Sequence, residues 1–151
     1  MQANVAPTLA LTVPPDYHFG FLPIGAHESP PQDILVQSNQ SYSVLVRADR
    51  TNMAHWVVGS GIYLPAAQCA FCNRPGPGLL LTPMEWKREG GAYADISTTD
   101  APVDTALLPT GQVGTITHVR YRQAARFDDY TLNWNCCRYN ITLTFTASQS
   151  I

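Results

Sequence analysis

Residues 141–147 read ITLTFTA, and this stretch decides the fold class. Ile141, Leu143, Phe145 and Ala147 fall on one side of an extended chain, and the three intervening threonines fall on the other. Successive side chains of a strand point to opposite faces, so a period of two predicts a strand with one buried and one solvated face. Threonine suits the solvated face, because its branched side chain packs there while its hydroxyl stays hydrated.

The same period recurs along the chain, and breakers separate the runs. Pro14-Pro15, Pro30-Pro31 and the Pro/Gly-rich residues 73–78 are typical of turns and loops. Short helices are expected only at 83–88 and 123–128. The pattern predicts one all-β domain over residues 1–151, an Ig-like antiparallel β-sandwich of roughly seven to nine strands. The expected strands lie at 8–13, 34–36, 42–47, 55–58, 62–64, 78–81, 113–121, 130–134 and 141–147.

Composition excludes several classes of function. Among 151 residues, 45% are hydrophobic, 13% are charged and the net charge is −2, with no long block of one sign. A sequence-independent nucleic-acid binder or a polybasic membrane patch needs a Lys/Arg-rich surface, which this chain lacks. No run approaches the roughly 18 to 20 apolar residues that span a bilayer. The abundance of Thr, Ser, Asn, Gln and Pro favours an exported protein whose signal peptide has been removed, located outside the cell or at its surface.

The front and the end of the chain resemble a known group of modules. The first strand ends at Pro14-Pro15, the steps Phe19-Gly20 and Gly25 follow, a strand pair spans 34–46, and the last strand closes the chain at 139–148. This arrangement resembles the Ig-like modules of bacterial surface proteins, including WxL-type wall-associated domains and the pilin and spore-coat-U sandwiches. The resemblance implies a secreted structural or adhesive module. Tyr42 stands where a Trp-x-Leu motif would begin, so wall binding of the WxL kind is not implied.

Four cysteines are foreign to that group of modules. Cys69 and Cys72 form a C-x-x-C, and Cys136 and Cys137 are adjacent. Two structural disulfides are favoured, with the pairing open. A Cys₄ zinc site is the alternative, although adjacent residues of a strand point to opposite faces and converge poorly on one ion. A redox C-x-x-C is less favoured, because a loop rather than a helix follows Cys72.

No catalytic arrangement is recognisable, and neither a cofactor nor a metal is expected. The four histidines form no H-x-x-x-H or H-E-x-x-H pattern, and no P-loop, G-x-G-x-x-G or G-x-S-x-G occurs. The carboxylates near residues 85–89 and 128–129 have no sign of a shared cleft. The sequence therefore predicts a protein that acts by contact and is not an enzyme.

Three kinds of contact residue are expected. Leu9, Leu11 and Val13 form one face of a strand that pairs either in its own sheet or in a neighbouring copy, which would make it an assembly strand for a filament or surface layer. Trp86 lies among charged residues and is the expected exposed ring for stacking on glycans, the alternative function being a carbohydrate-binding module. Asn39 and Asn140 begin N-x-S/T sequons and are candidate glycosylation sites. The predicted partner is another protein, including a second copy of this chain; glycans are the secondary candidate.

Overall fold

The structure, a computed structural model, describes residues 2–59, 61–63, 78–129, 131–132 and 137–150. All regular structure in these ranges is β, and no helix occurs in them. The strands are β1 (Leu9–Thr12), β2 (Gly25–Glu28), β3 (Gln32–Ser38), β4 (Tyr42–Ala48), β5 (Ala54–Val57), β6 (Glu85–Arg88), β7 (Ala94–Asp95), β8 (Ala101–Leu107), β9 (Thr115–Ala125), β10 (Cys137–Asn140) and β11 (Leu143–Gln149).

The largest sheet is built around the long strand β9. Its order is β1-β3-β9-β6-β7, every pairing is antiparallel, and β2 also pairs with β9. Strands β3 and β2 follow one another along the same side of β9, and Ser29, Pro30 and Pro31 lie between them. Proline cannot donate to a sheet ladder. Ser29 compensates, since its N–H donates to the Tyr121 carbonyl at 2.8 Å and its Oγ accepts from the Tyr121 N–H at 2.9 Å.

A second sheet has the order β11-β4-β8, and a small third sheet pairs β10 with β5. The third sheet is extended by single bridges from Ala54 to Leu79 and from Trp56 to Tyr63. Strand β4 alternates between buried and partly exposed residues along its length, as a strand with one face on a core requires.

The two larger sheets share one hydrophobic core. Ile34 and Val119 of the first sheet are completely buried, and Tyr42, Val44 and Val46 of the second sheet are 1% exposed. All of these residues belong to one contiguous cluster. The sheets therefore pack face to face through it, and the predicted all-β antiparallel sandwich is confirmed.

Local details differ from the sequence prediction. The helices expected at 83–88 and 123–128 are wrong: β6 occupies the first position, while β9 continues to Ala125 before a turn at the second. The described part of the chain contains eleven strands rather than the predicted seven to nine, because β2, β6, β7, β8 and β10 lack a clean apolar alternation and were not predicted. The runs at 62–64 and 78–81 contribute single bridges at Tyr63 and Leu79. Most of the strand expected at 130–134 lies outside the described residues.

Candidate assembly surfaces

The strand that was expected to mediate assembly lies at the edge of the larger sheet. Leu9 and Leu11 are half-buried and pack against the core, whereas Ala10 and Thr12 are exposed. Strand β1 pairs with β3 of its own chain, in the register Leu9 with Ser38 to Thr12 with Leu35. Val13 lies beyond the end of the strand and is 46% exposed. Of the two alternatives left open by the sequence, the structure thus contains the pairing within one chain.

Polar side chains hold the start of β1 in place. Asn39 accepts a hydrogen bond from the Thr8 N–H at 2.7 Å through Oδ1 and donates to the Ala6 carbonyl at 2.9 Å through Nδ2. Gln149 of β11 donates to the Thr8 carbonyl at 2.7 Å. Residues 2–8 are otherwise exposed. The N-terminal strand therefore rests on a four-residue ladder, two half-buried leucines and a small set of exposed hydrogen bonds.

Residues 13–24 connect β1 to β2 and contain no strand. Tyr17 and Phe19 pack on the core with their rings 4.9 Å apart in an edge-to-face arrangement. This segment and parts of β9, β10 and β11 line an open cavity of about 830 Å³.

Strand β11 presents a free backbone edge. The Ser150 N–H donates to the Ser41 carbonyl at 2.9 Å, and the Thr142 carbonyl accepts from the Asp49 N–H at 3.0 Å. Because hydrogen bonding alternates along an antiparallel strand, the even-numbered residues face β4 and the odd-numbered ones direct N–H and C=O away from the sheet. Within the described ranges, β11 pairs with β4 alone. The outward groups of Leu143, Phe145, Ala147 and Gln149 have no backbone partner there.

The other ends of the two larger sheets carry features that oppose further strand pairing. Strand β7 is only two residues long, and β1 has four residues between Pro7 and Pro14. Strand β8 contains Pro102, register shifts against β4, and a positive φ of 50° at Ala106. Short strands, prolines and bulges are the devices by which proteins block edge-to-edge association. The seven residues of β11 have none of them, and they carry no charge.

Strand β8 also directs a carboxylate inward. Asp104 is 4% exposed, lies 2.9 Å from Nη2 of Arg88, and accepts a hydrogen bond of 2.5 Å from Thr117. An inward-pointing charge on an edge strand is a further barrier to pairing with another chain. The arrangement is satisfied within the protein, because the carboxylate has both a cation and a hydroxyl donor.

Two ion pairs lie on the outer face of the larger sheet. Arg122 contacts both carboxylate oxygens of Glu85 at 2.7 Å, and Arg120 contacts Glu89 at 2.8 Å. These hydrogen bonds lower the pKa of both glutamates below the usual value. The guanidinium of Arg122 also lies 4.0 Å from the centre of the Tyr93 ring. The cations are therefore engaged locally and form no basic surface.

Trp86 does not lie where the sequence placed it. Its side chain is 9% exposed and belongs to the core cluster, so the prediction of an exposed ring for glycan stacking is wrong. Alternation along the strand is the reason: Met84 and Trp86 face inward, while Glu85 between them reaches Arg122 on the outer face. The exposed aromatic residues that sequence reasoning missed are Phe21 and Phe127, at 78% and 90% exposure.

Of the four cysteines, only Cys137 lies in the described part of the chain. It is completely buried in β10, opposite Val57 of β5. In the same strand pair, His55 lies opposite Tyr139 and is 2% exposed. The described residues hold no group of three or more metal-ligating side chains. Cys69, Cys72 and Cys136 lie outside these residues, so their disulfides or zinc site stay predictions.

The two sequons differ in their surroundings. Asn39 is exposed in the turn between β3 and β4, and its amide nitrogen donates a hydrogen bond to the Ala6 carbonyl. Asn140 is half-buried at the end of β10, and its amide donates to the Tyr63 hydroxyl at 3.1 Å. A glycan would replace one of the two amide hydrogens of either residue, and the other N–H could keep the existing hydrogen bond. Both sites stay predictions.

Comparisons with known proteins add no assignment. No protein-family model matches the chain, and no curated protein or solved structure matches it significantly. None of the described residues forms a helix long and apolar enough to cross a membrane. The geometry of the sheets and their edges is therefore what indicates a function.

Proposed function

We propose that this protein is a secreted or cell-surface structural module, adhesive or filament-forming, whose copies assemble by exchanging strand β1. The observation that carries the proposal is the position of β1: a short edge strand with two inward leucines, joined to the rest of the fold by the strand-free segment 13–24. Exchange of an identical element between copies is a low-cost route to assembly, because each copy regains the contacts that it gives up.

The acceptor for such an exchange is the seat that β1 occupies in its own chain. That seat consists of the edge of β3 between Leu35 and Ser38, together with the core surface under Leu9 and Leu11. An extended segment of twelve residues spans about 40 Å, which is enough to carry β1 to the equivalent seat of an adjacent copy. Because donor and acceptor lie at different places on each molecule, donation from each copy to the next is a heterologous contact, which extends into a filament when its rotation does not close a ring.

The cysteines fit the same proposal. Cys137 is fully buried, and we assign it to a structural disulfide with one of the remaining cysteines in an oxidising compartment outside the cytoplasm. Intact mass before and after reduction and thiol alkylation would count the bonds, since each disulfide hides two thiols from the reagent. Four alkylated thiols without prior reduction, or one zinc per chain by elemental analysis, would contradict this assignment.

Strand exchange is tested by adding the donor strand as a peptide. We expect a labelled synthetic peptide of residues 3–13 to bind the full-length protein during assembly and to shorten the series of oligomers seen by native mass spectrometry. The matched control is the same peptide with Leu11→Asn, which removes an inward side chain; a peptide with Ala10→Asn changes the exposed face and should still bind. Failure of every peptide to bind, with a protein that forms no species larger than a dimer at any concentration, would refute the exchange.

The carbohydrate-binding alternative is weakened by the core position of Trp86. A glycan-binding platform needs an exposed ring with polar groups beside it. We therefore retain assembly through strands as the proposed function.

A further inference from the structure

The free edge of β11 is a second candidate contact surface, and its Gln149 end adjoins the start of β1, because Gln149 donates to the Thr8 carbonyl. Its odd-numbered residues direct four N–H and C=O pairs away from β4, and none of the described residues accepts or donates to them. The inward side chains of β11 are also less buried than those of its neighbour β4. Leu143, Phe145 and Ala147 are only half-buried, whereas their neighbours in β4 are almost fully buried.

We propose that β11 pairs antiparallel with β11 of a second copy, about a two-fold axis at Thr146. An axis at this residue is the one that uses all seven residues of the strand. It places Phe145 opposite Ala147 of the second copy and Leu143 opposite its Gln149. These odd-numbered residues carry the outward N–H and C=O groups, so the four pairs that they form would exchange ~8 main-chain hydrogen bonds.

The side chains of β11 are compatible with this register on both faces. On the inner face, the large ring of Phe145 meets the small side chain of Ala147, so the volumes alternate across the axis. On the outer face, Thr146 meets its own copy and Thr144 meets Ser148. Cross-strand pairs between threonine and serine hydroxyls are favourable in antiparallel sheets. The strand has no charge that would be brought against itself.

The differences between the edge strands favour a second copy of this chain as the partner of β11. Three of the four ends of the larger sheets are shortened, interrupted by proline or bulged, while β11 is regular along all seven residues. Pairing would join two three-stranded sheets into one of six strands with the order β8-β4-β11-β11-β4-β8. The ends of this joined sheet are the two β8 strands, which are protected, so the contact closes as a dimer.

The test uses charge reversal at the proposed axis. Thr146 is exposed, so Thr146→Lys and Thr146→Glu should leave the fold intact, as checked by circular dichroism. Either variant alone places like charges directly opposite one another, and we expect its self-association constant to fall roughly tenfold or more by sedimentation equilibrium. An equimolar mixture of the two variants places opposite charges on the axis and should restore dimers to about the wild-type level.

Two further variants separate this contact from other causes. Ala147→Pro removes an outward N–H but no bond to β4, so it should abolish dimers without loss of the fold. Thr105→Lys adds the same charge on the exposed side of β8, at the opposite edge of the sheet, and should not change dimerisation. An equal effect of Thr105→Lys, a wild type that is monomeric throughout, or a Lys/Glu mixture that fails to pair would each overturn the proposal. These variants leave both β1 and its contact Gln149 unchanged, so strand exchange is measured separately by the 3–13 peptide.

Discussion

The contact between Ser29 and Tyr121 should make a measurable contribution to stability. Ser29 is 1% exposed, and its Oγ accepts the Tyr121 N–H at 2.9 Å at the point where Pro30 and Pro31 interrupt the ladder. Ser29→Ala leaves this N–H buried without a partner, and an unsatisfied buried donor costs about 1–3 kcal/mol. For a domain of this size, each kcal/mol lowers the melting temperature by about 2–4 °C. We therefore expect a decrease of roughly 2–12 °C.

The assay is urea denaturation followed by intrinsic fluorescence, together with thermal melts. Ser43→Ala is the matched control, because the Ser43 Oγ also accepts a backbone N–H, that of Ala106 at 3.0 Å, but in an exposed position. Water can replace the lost acceptor there, so the control should change the free energy of unfolding by less than about 0.5 kcal/mol. Equal losses in the two variants would show that the Ser29 hydroxyl does not substitute for the interrupted ladder.

Three further predictions concern the core, a turn and acid stability. Trp86→Ala should cost about 3–5 kcal/mol by urea denaturation and Trp86→Phe much less, since the ring fills the core; a fully stable Ala variant would contradict its burial. Gly114 has a φ of +80°, and an added Cβ would lie 2.7 Å from Leu35 Cδ1, whereas Gly111, at φ +67°, faces open space. Gly111→Ala should therefore lower the free energy of unfolding by about 1–2 kcal/mol through backbone strain alone, and Gly114→Ala should lower it further. Equal decreases in the two variants, measured by urea denaturation, would exclude the clash with Leu35. Burial lowers the pKa of His55 below 6.5, so the unfolded chain binds the proton more readily and stability should fall as the pH drops below about 6.5. The midpoint of urea unfolding should thus be lower at pH 5.5 than at pH 7.5. His55→Phe should reduce this pH dependence; if the variant keeps it in full, groups other than His55 cause it.

The sequence predicts the strands whose side chains alternate strongly. Strands β4 and β11 place apolar residues on alternate positions and β3 carries the apolar run 34–36, and the structure contains all three with one apolar face inward. Strand β2, with the sequence GAHE, has no such alternation. Residues 25–28 form a strand because they pair with the part of β9 beyond the residues that pair with β3, so a tertiary contact determines this strand. No local pattern reveals it.

Trp86 illustrates the same limit for the candidate site. Its neighbours Glu85 and Lys87 indicate a polar segment when they are read together, but a strand separates its odd and even positions onto different faces. The edge status of β11 is another such case. Alternation predicts the strand and its buried face, but whether a strand lies at the centre or the end of a sheet depends on the order of strands, which the sequence does not specify.

The two proposed contacts have different symmetries, and this difference sets the shape of an assembly. Exchange of β1 is heterologous and extends in one direction, whereas pairing of β11 with itself is isologous and ends after two copies. Among the described strands at the ends of the two larger sheets, β7 and β8 carry features that oppose lateral growth. Together the contacts predict a ribbon two subunits wide. Electron microscopy should therefore show paired filaments for the wild type and single filaments of half the width for Thr146→Lys, because that variant removes only the lateral contact. Sheets of unlimited width, or paired filaments that persist in the variant, would contradict the assignment of the lateral contact to β11.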